Sequence, residues 1–279
     1  MVSAFKNKLF LASVLIGCFI TILSFINSVN AYNTEQELFL SYAEGTRNPR
    51  TAAYTLFSEW IGGEPFSLGT SLYFFLFPVM IALPFGWSYC EEKNTGYYRM
   101  LVTKTGKTSY FIAKYIAVFL SGGCAMVIPL LFNFFMVSMV IPAVTPMVTY
   151  NIYYAVFGSS LMSELYYTTP FLYVFAYLCI DFIVAGLLAE ISFLASNWLP
   201  QKWSVVLCPF FVCLLIHFLR KYIYIAPGTI YKEISPILFL RPAESAYAAD
   251  WRIVIGMAAI LFLSTFFVNQ RWNKKHEIY

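Results

Sequence analysis

The sequence predicts an all-α integral membrane protein: a bundle of six membrane-spanning helices with both termini in the cytoplasm. Three observations lead there. Hydrophobic residues make up 60% of the 279-residue chain and charged residues 11%, with a mean hydropathy of +0.69. A soluble domain averages roughly 45–50% apolar and about 25% charged, so a core of this size in water needs far less apolar side chain. The apolar residues also gather into six runs, each near the ~20 residues needed to cross about 30 Å of hydrocarbon. Finally, Lys and Arg are shared unevenly between the connecting segments. No hydrophilic stretch is long enough for a second domain, so residues 1–279 read as one unit.

The first run is Leu9–Val29. Lys6 and Lys8 before it and Val29-Asn30-Ala31 after it mimic a signal peptide. The run is long for a signal core, which favours an uncleaved first helix. The second and third are Ser71–Tyr89 and Tyr110–Ile141, the latter long enough to tilt or to continue beyond the bilayer. Pro170–Ser196, Trp203–Arg220 and Ile253–Asn269 complete the set. Breaker-rich connectors separate them, among them Gly62-Gly63-Glu64-Pro65, Leu199-Pro200 and Ala226-Pro227-Gly228. Pro78, Pro84, Pro129 and Pro209 fall inside runs, where proline frees a backbone carbonyl and allows a kink.

Orientation follows from the basic residues. With both termini inside, Lys6, Lys8, Lys93, Arg99, Lys104, Lys107, Lys114, Lys202, Arg271, Lys274 and Lys275 are cytoplasmic, leaving Arg47, Arg50, Arg220, Lys221, Lys232, Arg241 and Arg252 outside. Most acidic residues fall outside. The acidic external loop Asn30–Thr70 offers a short interfacial helix at Glu35–Tyr42. The loop Tyr222–Trp251 is apolar for an exposed one, and Pro227 and Pro236 bar a continuous helix. It is expected to re-enter in part or to lie on the outer leaflet.

The segment from Glu91 to Tyr110, continuing to Lys114, is polar, basic and cytoplasmic. Its residues from Glu92 to Leu101 suit an amphipathic helix on the membrane surface, with Lys and Arg snorkelling and aromatic rings at headgroup level. A short rigid element between two spans is a mechanical handle, because a soluble partner pushing on it moves both. Gly106-Lys107-Thr108 looks like the end of a phosphate-binding P-loop, but Leu101 stands where that motif needs glycine and no β-strand precedes it.

Glu92, Gly96, Leu101, Thr103, Lys107, Tyr110 and Lys114, in a loop between spans two and three, resemble the corresponding loop of ABC-2-type permeases, the membrane subunits of a class of ATP-driven transporters. A Pro common after the Thr in that family is absent; Thr105-Gly106 stands there instead. The resemblance implies six spans, cytoplasmic termini and a coupling helix, with Glu91, Glu92, Gly96, Arg99, Thr103 and Lys107 as contacts to an ATPase. It also implies two permease subunits, identical or paralogous, in the plasma membrane, and two cytoplasmic ATPase subunits that bind ATP and magnesium. This chain then needs no cofactor and performs no covalent chemistry. It would export a hydrophobic or amphipathic substrate such as a peptide, drug or lipid-linked molecule. Its partners are those subunits and membrane lipid, with no nucleic acid.

Asp181 lies about eleven residues into the fourth run, near the bilayer centre. A charge there costs at least ~2.5–3.5 kcal/mol on insertion scales. It reads either as a carboxylate on a translocation path or as a buried contact to a polar side chain of a neighbouring helix. Glu190, nine residues on, is half a turn out of phase and suits a contact near the cytoplasmic end. His217 sits near Arg220 and Lys221, as a boundary residue does. The six Cys residues include no C-x-x-C pair and read as small core hydrophobes. An autonomous secondary carrier or channel using Asp181 is the competing function; it predicts repeated halves and several deep charges. A membrane enzyme needs clustered polar residues, and His217 and His276 are far apart on opposite sides.

Overall fold

The computed structural model describes residues 2–42, 53–64, 67–225, 232–244 and 247–275. Among them the regular elements are helices and no strand occurs. In chain order these are α1 (Val2–Phe5), α2 (Lys8–Tyr42), α3 (Leu56–Glu59), α4 (Leu68–Ala82), α5 (Ser88–Asn94), α6 (Tyr97–Thr105), α7 (Lys107–Ser138), α8 (Asn151–Tyr154), α9 (Ser163–Thr168), α10 (Pro170–Ala195), α11 (Lys202–Ile225), α12 (Pro236–Phe239) and α13 (Trp251–Lys275). Five of them, α2, α7, α10, α11 and α13, are long and apolar enough to cross a membrane. The chain is therefore a multi-pass, all-helical protein of membrane character.

The fourth run is α10 almost to the residue, because Pro170 fits the first helical position, where its missing N–H is needed by no one. Two runs are corrected. The first does not stop at Val29: α2 is continuous to Tyr42, its apolar run passing into the polar turns of Asn33–Glu37 without a break in the helix. Glu35 is thus part of α2 rather than of a separate interfacial helix, and its carboxylate accepts from Ala53 N at 3.0 Å. The second run is not one helix. α4 holds 15 residues, about 22 Å, and a turn at 83–87 separates it from α5.

Pro84 causes that break. It has no N–H for the carbonyl of Met80, and Ser13 of α2 fills the vacancy, its hydroxyl donating to Met80 O at 2.6 Å. Asn7 meets the same turn, its side-chain amide donating to Pro84 O at 3.2 Å. Pro78, Pro129 and Pro209 stay inside their helices. Gly17 of α2 makes room for the Pro129 ring, since a Cβ there would stand 2.6 Å from Pro129 Cγ.

The core lies between α7 and α10. Lipid tails are as apolar as leucine, so small residues that let backbones approach drive helix association. A Cβ on Gly122 of α7 would meet Ala189 Cβ at 2.5 Å, and one on Gly186 of α10 would meet Phe119 O at 2.8 Å. The second contact is with backbone, which cannot step aside. Around this pair, α2 packs on α7, α4 on both α7 and α10, α11 on α4 and α10, and α13 on α10.

The first residues of α2, helices α5 and α6, the α10–α11 connector and the last turns of α13 share one end of the bundle, hereafter the basic end. Lys93 Nζ donates to Asn197 O at 2.9 Å, and Asn197 Nδ2 donates to Asn269 Oδ1 at 2.6 Å. The opposite end is capped by α3, α8, α9 and α12. Tyr154 OH donates to Ala53 O at 2.7 Å, Glu244 N to Ala155 O at 2.8 Å, and Arg220 pairs with Glu233 at 2.7 Å. Ile237, Phe239 and Leu240 are buried in this cap, which accounts for the apolar character of the segment before α13. Arg47, Arg50, Pro227 and His276 lie outside the described residues.

Candidate functional site

Two regions hold the residues singled out by the sequence. The first is the α5–α6 hairpin at the basic end. The single helix expected over Glu92–Leu101 is two helices. Gly96 (φ 74°) separates them and Gly106 (φ 78°) separates α6 from α7. A Cβ at either would meet nothing within 4 Å, so the demand for glycine is one of backbone conformation alone. α6 is thus a short rod between two glycine joints.

α5 is fastened to the α10–α11 connector. Asn94 Nδ2 donates to Pro200 O at 2.7 Å and Lys93 reaches Asn197 O. Lys202 lies 3.5 Å from the Trp87 ring centroid and 3.8 Å from Glu91, which is exposed. Burial pushes the Cys90 thiol up, away from the reactive thiolate form.

Glu92 points inward. Its Oε1 accepts from Lys114 Nζ at 2.7 Å and its other oxygen from Tyr110 OH. The Lys114 ammonium also sits 4.4 Å from the Phe85 ring centroid. Tyr89, Tyr98 and Tyr110 stack edge to face, with Tyr89–Tyr98 at 5.5 Å and Tyr98–Tyr110 at 5.2 Å. These contacts tie α5 and α6 to α7. Glu92, grouped by sequence with the outward contacts, is an internal strut.

The outward face belongs to α6. Val102 is buried, whereas Tyr97 and Met100 are about half exposed, and Arg99, Thr103 and Lys104 are exposed. Tyr97, Met100 and Lys104 follow 3- and 4-residue steps and therefore share one face. The Thr103 hydroxyl donates to Arg99 O at 2.7 Å, within its own helix. Lys107 opens α7. Tyr97 and Met100 carried no motif; their signal was an apolar pair at helical spacing within a polar loop.

The second region surrounds Asp181. It is 1% exposed, and among the described residues neither carboxylate oxygen has a hydrogen-bond partner. A buried polar group without a partner is costly; of the two readings of Asp181, the contact to a polar side chain of a neighbouring helix is not seen among the described residues. Above it on α10 stand Tyr177 and Tyr173 at four-residue steps, their rings 4.9 Å apart. Tyr166 of α9 continues the line 5.0 Å from Tyr173, and Tyr154 of α8 lies 5.9 Å beyond. A column of tyrosines thus leads from the capped end to Asp181. The i, i+4, i+8 spacing of Tyr173, Tyr177 and Asp181 was present in the sequence and announced the lower half of it. Tyr166 OH, like Asp181, has no partner among the described residues.

Glu190, expected near an interface, is fully buried beside the α7–α10 contact. His217 meets Ser235 at 3.1 Å. At the capped end Glu59 is buried, and desolvation first, then Glu64 and Glu35, push its carboxyl up to about 8 against the opposing hydrogen bond from Ser58. Among the described residues no group of His, Cys, Asp and Glu could hold a metal ion. Gly106-Lys107-Thr108 joins helix to helix, without the strand that a phosphate loop follows.

In comparisons with known proteins the chain matches no family model, no curated protein and no solved structure.

Proposed function

We infer that the chain is the permease subunit of an ATP-driven exporter of the ABC-2 type. In this reading it crosses the plasma membrane six times with both termini in the cytoplasm. α4 and the turn at 83–87, up to Tyr89, form the remaining crossing, with α5 emerging from it at the basic end, and that end faces the cytoplasm, in keeping with the distribution of Lys and Arg. A second permease subunit, identical or paralogous, completes the path. A hydrophobic or amphipathic substrate passes between them.

One observation carries this reading: α6 offers a half-exposed Tyr97 and Met100 flanked by Arg99 and Lys104, on a rod held by glycine joints between two membrane helices. Large apolar side chains exposed at a polar end mark an interaction surface. The joints let α6 rotate, while the Glu92–Lys114 strut and the α5 clamp transmit that rotation to α7 and α10. ATP and magnesium are bound by the partner ATPase. Purification from native membranes tests the reading. A soluble ATPase should be recovered in stoichiometric amount, and its repeated absence would sink it.

The unpartnered Asp181 beneath the tyrosine column favours a second reading, an autonomous carrier. That reading requires transport by the isolated chain without ATP, abolished by Asp181→Asn.

A further inference from the structure

Asp181 is buried without a partner among the described residues, roughly 17 Å below the start of α10. A bare charge at this depth is costly. Helical Cβ atoms tilt toward the helix N-terminus, so its carboxyl is aimed toward Tyr177 and the capped end. Tyr73 of α4 and Tyr177 are close enough to feel its charge, but the Tyr73 hydroxyl is taken by Met126 O at 2.5 Å. The thiols of Cys124 on α7 and Cys213 on α11 feel no charge from it. Among the described residues no charged side chain acts on it.

Toward the capped end Tyr177 borders a small cavity of about 10 Å³, room for about one water molecule. Its lining brings Tyr177 and Ser160 together with Arg241 and Glu244. Arg241 is 9% exposed and lies 5.1 Å from the Phe74 ring centroid. Its Nε has no partner among the described residues. Glu244, half-buried, accepts from the Ser160 hydroxyl, and its charge acts on Tyr177 as that of Asp181 does. Ordered water sits where buried polar atoms lack protein partners. Two such groups flank this cavity: Arg241 Nε in its lining, and the Asp181 carboxyl one helical turn beyond Tyr177.

We propose that Asp181 is a proton-binding site that exchanges with the capped end past Tyr177, through a water in this cavity, with Glu244 as the carboxylate on the solvent side. Release breaks the Asp181 O–H bond and passes that proton to the water, which hands one to Glu244; uptake is the reverse, and no electron moves. Toward the basic end the way is closed. Gly122 packs α7 against Ala189, Gly186 packs α10 against Phe119, and Glu190 is half a turn out of phase. The site supplies an ion for the carrier reading but does not require transport.

The test is infrared spectroscopy of the full chain in lipid vesicles. A protonated carboxyl gives a C=O band distinct from that of a carboxylate, and the band shifts when deuterium replaces the proton. The difference between wild type and Asp181→Asn should contain one such band at neutral pH, lost reversibly as pH rises and shifted in heavy water. Asp181→Glu should move the band rather than remove it, and Glu190→Gln should leave it in place. Tyr177→Phe and Glu244→Gln should each slow the heavy-water shift about tenfold, roughly the worth of one hydrogen bond in the route. Absence of the band from the difference, a band that Asp181→Glu leaves unmoved, or exchange at the wild-type rate in both route variants overturns the proposal. If the band behaves as expected and the isolated chain transports nothing, the carrier reading falls and the proton site stands.

Discussion

Lys114 lies in the wall of α7 with its side chain 5% exposed, against 20% for Glu92. Removing one partner of such a pair leaves the other charge buried and uncompensated, which costs up to about 3–5 kcal/mol. Glu92→Gln and Lys114→Met should each lower thermal stability in detergent, and the double variant should recover most of the loss. If the double variant is as unstable as the sum of the singles, the two residues do not act as a pair. A change at Glu92 therefore tests the fold before it tests coupling. Glu59 gives a pH signature. Its carboxyl titrates near 4.5 when unfolded and at about 8 when folded. The folded state binds the extra proton between those values, so the stabilisation is complete below about 4.5 and is lost as pH rises to about 8. Melting temperatures taken across that window should fall for wild type and change less for Glu59→Gln. Equal slopes would contradict the assignment. Neither residue's partners were legible in the sequence, because Glu92 meets Lys114 only after two glycine joints fold the hairpin back.

The α7–α10 pair is the element on which the others lean. Gly186→Ala places a methyl 2.8 Å from the Phe119 carbonyl, and overpacking of this kind typically costs about 1–3 kcal/mol. Gly256→Ala on α13 meets nothing within 4 Å and should be neutral or stabilising by up to ~1 kcal/mol from helix propensity. Thermal unfolding of the two variants checks this, and equal effects would contradict the packing. Element existence was readable in the sequence, since apolar runs of about 20 residues have few other uses. Boundaries were readable where chemistry is local, as at Pro170. The break after α4 was hidden because the apolar residues around Pro84 read as one run, although the proline itself marked the place. The extension of α2 was hidden because Glu35 looked like loop chemistry, whereas its partner Ala53 arrives from a distant segment.

At the scale of the whole molecule, five helices meet the length and composition of membrane spans and α4 falls short of a full crossing alone. The basic end was legible from charge, and the structure gathers α5, α6, the α10–α11 connector and both described chain ends there. The outward face of α6 was not legible, because burial of Val102 and the inward ion pair of Glu92 with Lys114 decide which residues remain outside. In the proposed function this face receives a separate ATPase. The most direct measurement places a photo-crosslinking amino acid at Met100 in living cells, with the same label at Val102 as the buried control. A crosslink from position 100 to a soluble ATP-binding protein is expected, and none from position 102. Crosslinks from position 100 to lipid alone, or to a protein that binds no ATP, would contradict it.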